Sequence, residues 1–140
     1  MKVVLDTNII IASGWQSESI CRKVIDLIFY NKIAQCYISP EILDEYTEIA
    51  KDRKFRHNRR NIERQIRRVK RNAISIEPTT TIRLLSDPDD NKFLGLAREI
   101  EADYVISGDI EAFGDLQIFE GTHIVTAAEF INILEALNLT

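Results

Sequence analysis

Five short apolar runs recur along the chain, and between them the apolar residues fall at helical spacing. The runs are Val3, Val4 and Leu5, then "CYIS", "AISIEP", "DYVIS" and "THIVT". Between them, Ile20, Val24, Leu27 and Ile28 define one helical face through residues 19–30. "SPEILDEYTEIAK" begins with Ser39 as an N-cap and Pro40 at the first helical position, a strong local start signal. Ile62, Ile66 and Val69 form a stripe on a helix over residues 58–72, and Phe93, Leu94, Ala97 and Ile100 form another behind Asp87 and Pro88. A last helix is expected to bury Phe130, Ile131, Leu134 and Leu137. Strands separated by helices imply an α/β three-layer sandwich, Rossmann-like, with a central parallel five-stranded sheet. Ligands of such sheets bind beyond the carboxyl ends of the strands.

Length and composition narrow the frame. A chain of 140 residues with 45% hydrophobic content fits one domain over residues 1–140 with a proper core. No apolar run approaches the roughly 18 residues of a membrane span, so a cytoplasmic protein without membrane contact is expected. Cys21 and Cys36 have no metal-ligand spacing and read as free buried thiols. Net charge is −4, but residues 51–71 carry eleven Lys or Arg against Asp52 and Glu63, a local charge of +9, while the remainder, with seven basic and twenty acidic residues, stands at −13. One basic helical arm, about residues 51–72, therefore belongs to an acidic body, and its two expected helices carry Arg59, Arg60, Arg64, Arg67, Arg68 and Arg71.

The acids of the body are placed unevenly. Asp6 lies between "VVL" and three isoleucines, in a stretch so apolar that it reads as a strand buried on both faces, where a charge is expensive unless something satisfies it. Asp109 follows "YVIS" after Gly108, so if strands one and four are neighbours both carboxylates enter one crevice. Asp90 stands near the start of its helix, where negative charge is favoured. In "EILDEYTEIA", Glu41, Asp44 and Glu48 point away from the apolar face while Glu45 borders it, by the helical period of about 100° per residue.

Each acid also has a plain structural reading. A strand-end acid can begin a turn, Asp87, Asp89 and Asp90 can cap a helix, and Glu45 can be a solvated border residue. Together they constrain more. Two like charges about 4 Å apart repel by roughly 4 kcal/mol at an effective dielectric of 20, so four clustered carboxylates require protons or cations. A ligand set of oxygens, without His or Cys, points to Mg²⁺ or Mn²⁺. Such ions serve in-line displacement at phosphorus, and a +9 arm suits a nucleic-acid backbone; phosphodiester hydrolysis joins both halves of the charge pattern. The plain reading of the arm is a solvated helix face.

"VVLDTNIII", "SPEILDEYTEI", "DPDDNKFLGLA" and "YVISGD" resemble, in order and spacing, the motifs of the PIN-domain ribonucleases, specifically the small single-domain branch assigned as toxins of toxin and antitoxin pairs. The likeness extends to "THIVTAAEFI". It implies metal-binding acids at Asp6, Glu45, Asp90 and Asp109, with Asn8 and Ser107 as polar supports. It also implies Mg²⁺- or Mn²⁺-dependent cleavage of single-stranded RNA, a homodimer, and an antitoxin that blocks the site. Many members place a further acid after the last motif aspartate; Glu111 and Asp115 both offer one here.

Two other functions compete. A Mg²⁺-dependent phosphoacceptor signalling domain needs an adjacent acidic pair after strand one and a Lys after the last strand, where this chain has Asp6-Thr7-Asn8 and Thr126-Ala127-Ala128. A catalytically silent PIN-like module that only holds RNA or a protein is the third reading.

Overall fold

A computed structural model describes residues 1–79, 88–108, 113 and 116–139, and for 88–90 the helical backbone alone. The strands are β1 (Lys2–Leu5), β2 (Gln35–Ile38), β3 (Ile74–Ser75), β4 (Tyr104–Ile106), β5 (Ile118–Phe119) and β6 (Thr122–Val125). The helices are α1 (Thr7–Trp15), α2 (Ile20–Phe29), α3 (Pro40–Ala50), α4 (Arg59–Asn72), α5 (Pro88–Ile100) and α6 (Ala127–Ala136). One sheet runs β3-β2-β1-β4-β6-β5. The expected parallel α/β sheet is present, with six strands in place of five. The additional strand, β5, pairs antiparallel with β6 through a tight turn in which Glu120 and Gly121 both take positive φ.

From β1 the chain steps to β2 and β3 on one side; from β3 it crosses back to β4 and onward to β6. Right-handed crossovers in opposite directions place their helices on opposite faces. The reversal falls between β1 and β4, which pair with Val4 opposite Val105 and Leu5 opposite Ile106. In open α/β sheets a crevice opens at such a switch point, beyond the strand ends. Val3, Val4, Leu5, Val105 and Ile106 are all fully buried, as strands covered on both faces must be.

Two expectations change in detail. The three isoleucines after Asp6 belong to a helix: Ile9, Ile10 and Ile11 are buried on α1. The "AISIEP" strand shrinks to Ile74 and Ser75. The basic arm comprises a short 3-10 turn, Arg53–Phe55, and α4, and α4 is held against the body by Ile62, Ile66 and Val69, all buried.

Candidate active site

Asp6 leaves β1 and begins α1 at once. Its backbone is extended, and Oδ1 accepts the Thr7 N–H at 2.7 Å, an N-cap that turns strand into helix with no intervening loop. Across the switch point Oδ2 accepts the Ser107 hydroxyl at 2.6 Å, while the Asp6 N–H donates to the Ile106 carbonyl at 2.9 Å. The residue is only 5% exposed. Donors on both oxygens offset part of the cost of burying it.

Glu45 arrives by a different route. The Ser39 hydroxyl caps α3 by accepting the Ile42 N–H at 3.2 Å, and Ile42, Tyr46 and Ala50 turn inward. The Tyr46 hydroxyl donates to the Leu5 carbonyl, which fastens α3 to the last residue of β1. Burial pushes the Tyr46 phenol well above its ordinary range, with the charges of Cys36, Asp6 and Glu45 acting in the same direction, so it stays a neutral donor. Beside it, Glu45 Oε2 accepts the Thr7 hydroxyl. Thr7 thus joins the two acids, its N–H on Asp6 and its hydroxyl on Glu45. Glu41, Asp44 and Glu48 are exposed, as the helical period requires.

Sequence reasoning missed Lys92. Its Nζ lies 2.5 Å from Glu45 Oε1, with the two side chains 8% and 18% exposed. Clustered acids need cations, and the chain supplies one itself. A signal was available: Lys92 sits in the second turn of α5, near the helix end where positive charge is disfavoured, directly behind Asp87, Asp89 and Asp90. A lysine there needs an acid from elsewhere in the fold.

The remaining expected residues divide. Asn8 Oδ1 accepts the Gly108 N–H at 2.8 Å, fixing the backbone that leaves β4 just ahead of Asp109; a Cβ on Gly108 would stand 3.2 Å from that oxygen. Asp90 is in the first turn of α5, but its side chain lies outside the described residues, as do Asp87, Asp109, Glu111 and Asp115. Among the described residues no three acidic, histidine or cysteine groups converge. Two arm arginines are taken up by the fold. Arg59 donates from Nη2 to the Lys51 carbonyl at 2.7 Å and from Nε to the Ala50 carbonyl at 3.2 Å, closing the end of α3. Arg68 pairs with Asp26 at 2.6 Å. Arg60, Arg64, Arg67 and Arg71 are exposed.

A family model described as PIN domain matches residues 2–111. The chain belongs to the PIN-domain family. A protein of Methanocaldococcus jannaschii, described as uncharacterized, is 37% identical to this PIN domain over 112 residues, 78% of this chain and 71% of that one. PIN domains are generally nucleases that use divalent metal ions. The donors described in this PIN domain fit a hard divalent cation: carboxylate oxygens of Asp6 and Glu45 flanked by the Ser107 and Thr7 hydroxyls, with Cys36 buried on β2 and linked through its thiol to the Tyr37 carbonyl. No helix among the described residues is long and apolar enough to cross a membrane.

Proposed function

We propose that this PIN domain is an endoribonuclease that hydrolyses phosphodiester bonds of single-stranded RNA with Mg²⁺ or Mn²⁺. The observation that carries the reading is the string Ser107, Asp6, Thr7, Glu45, which holds two carboxylates together at the switch point between β1 and β4. Asp6 and Glu45, with Asp90 and Asp109 as the family resemblance implies, would hold the ion, which when bound supplies charge stabilisation and water activation at phosphorus. Ser107 and Thr7 hold the carboxylates in place. Asn8 holds the backbone of Gly108, the residue before Asp109 in the sequence. The exposed arginines of α4 supply positive charge for the RNA backbone where a strand runs on beyond the site. The same resemblance extends the proposal to a cytoplasmic toxin, homodimeric and blocked by an antitoxin; a small neighbouring gene whose product co-purifies with this protein would support it.

The test incubates labelled single-stranded RNA with protein and Mn²⁺ or Mg²⁺, with and without chelator. Cleavage should need the ion and be lost in Asp6→Asn and Glu45→Gln, while Glu41→Gln and Glu48→Gln cut like wild type. Chelator-resistant cleavage, or wild-type turnover by both site variants, overturns the assignment. One observation favours a second reading, a catalytically silent RNA- or protein-binding module: Lys92 already holds an oxygen of Glu45. Calorimetric titration with Mn²⁺ separates the two, because a silent module whose acids are satisfied by Lys92 takes up no ion.

A further inference from the structure

Four arginines of α4, Arg64, Arg67, Arg68 and Arg71, face α2. Arg68 reaches across to Asp26 at 2.6 Å, and Arg22 of α2 meets the same oxygen at 3.3 Å. Alongside this tie runs a groove of about 500 Å³. Five arginines line it against Asp26 alone, a local charge of +4. Asp26 is used twice by Arg22 and Arg68, so Arg64, Arg67 and Arg71 reach the groove with no carboxylate partner among the described residues. At its rim stands Tyr30, 80% exposed. An uncovered aromatic among guanidinium groups is the combination that single-stranded nucleic acids use: phosphates pair with arginine, and bases stack on the ring. A protein interface of this size would show an apolar centre, whereas this lining is arginine, glutamine, asparagine and aspartate apart from Tyr30.

The groove's position adds a second element. Asn72 lines it, and the Asn72 carbonyl accepts from Gln35 Nε2 at the first residue of β2. It therefore lies toward the amino ends of the strands, whereas Asp6 and Glu45 gather at their carboxyl ends. A four-residue strand at about 3.3 Å per residue separates the two levels by roughly 13 Å.

We propose that the α2/α4 groove is a second contact surface for the RNA strand, in which Arg64, Arg67 and Arg71 hold successive phosphates and Tyr30 stacks a base. The proposal rests on the ribonuclease reading for what becomes of the strand. The groove takes no part in hydrolysis. It engages only RNAs long enough to run past the sheet from one end to the other, so it governs affinity for long strands and leaves short ones untouched.

Binding is measured by fluorescence anisotropy in chelator, with labelled oligouridylate of about 16 nucleotides, the upper range of single-strand sites, and with a trinucleotide. The variants are Arg64→Gln/Arg67→Gln/Arg71→Gln, Tyr30→Ala, and Lys70→Gln as an exposed α4 charge outside the groove; circular dichroism melting checks each fold. The triple variant should bind the long strand at least tenfold more weakly, with its log–log salt slope reduced by about 2, at roughly 0.7 per lost contact. Tyr30→Ala should lose about tenfold with the slope unchanged, and Lys70→Gln and all trinucleotide binding should match wild type. An unchanged slope, a loss equal to that of Lys70→Gln per charge, or a groove that takes a polyglutamate peptide in preference to RNA would overturn the proposal. Since binding is read without metal, an absence of cleavage with the slope effect intact would sink the ribonuclease reading and leave the groove standing as an RNA site.

Discussion

Lys92 decides how the carboxylates behave. Removing one partner of a largely buried ion pair leaves the other charge without compensation. Lys92→Met should lower the stability of the metal-free protein by about 2 kcal/mol, below the cost of a fully buried pair because Glu45 keeps 18% exposure. The same change removes a competitor for Glu45. Added Mn²⁺ should therefore raise the melting temperature more in Lys92→Met than in wild type, which differential scanning fluorimetry reads directly. A smaller rise in the variant would mean that Lys92 positions Glu45 for the ion instead of competing with it. Asp6 teaches a related lesson. It is an N-cap as well as an acid of the site, so Asp6→Asn, which keeps a good cap, is the informative variant. Asp6→Ala should cost a further ~1 kcal/mol from the cap alone, seen as a lower urea midpoint than that of Asp6→Asn. The placement of Asp6 was legible because a charge in an apolar run demands an explanation; the need of Lys92 for an acid was legible too, but its partner was not, because Glu45 lies 47 positions away and no local period brings them together.

Among the elements, α2 to α6 were readable and α1 was not, for a reason that the burial pattern explains. A stripe of apolar residues is visible only when the opposite face is polar. Helix α1 buries Thr7, Ile9, Ile10, Ile11, Ser13 and Gly14, because α2, α3 and α4 all pack on it, and three consecutive isoleucines then look like a strand. Strand β5 escaped for want of length, its two residues giving no alternation to count. The packing of α1 on α4 turns on Gly14. A Cβ there would stand 2.5 Å from Ile62 Cα, 2.6 Å from Ile62 N and 2.9 Å from Asn61 C. All three are backbone atoms, so no rotamer relieves the clash and the helices must separate. Gly14→Ala should destabilise the protein by about 3 kcal/mol, even though alanine is the better helix former. A urea midpoint equal to that of wild type would show that the two helices approach less closely than this.

For the whole molecule, the sheet's class was legible and its order was not. Alternating signals announce a parallel sheet, but only the three-dimensional pairing puts β4 beside β1, and with it Ser107 beside Asp6. That central position also fixes how the fold responds to alkali. Burial pushes the Cys36 thiol far above its ordinary range, and burial followed by neighbouring charges does the same to the Tyr46 phenol. The folded protein therefore keeps protons that the unfolded chain releases, from about pH 8.5 for the thiol and about pH 10 for the phenol. Stability changes with pH as the protons bound by the unfolded state minus those bound by the native state. That difference is near zero for these groups at neutral pH and negative above about pH 9, so their stabilisation is complete below pH 8 and is lost as pH rises. Urea midpoints should hold level from about pH 7 to 8 and decline beyond about pH 9. Cys36→Val, which fills a similar buried space without an ionisable group, should delay the onset of that decline toward the range of the phenol. Thiol labelling gives an independent reading: half-buried Cys21 should react with a disulfide reagent in the folded protein, and Cys36 only once urea has opened the sheet. If Cys36 reacted as fast as Cys21 at pH 8 in the absence of urea, β2 would be open to solvent and the alkaline decline would need another cause.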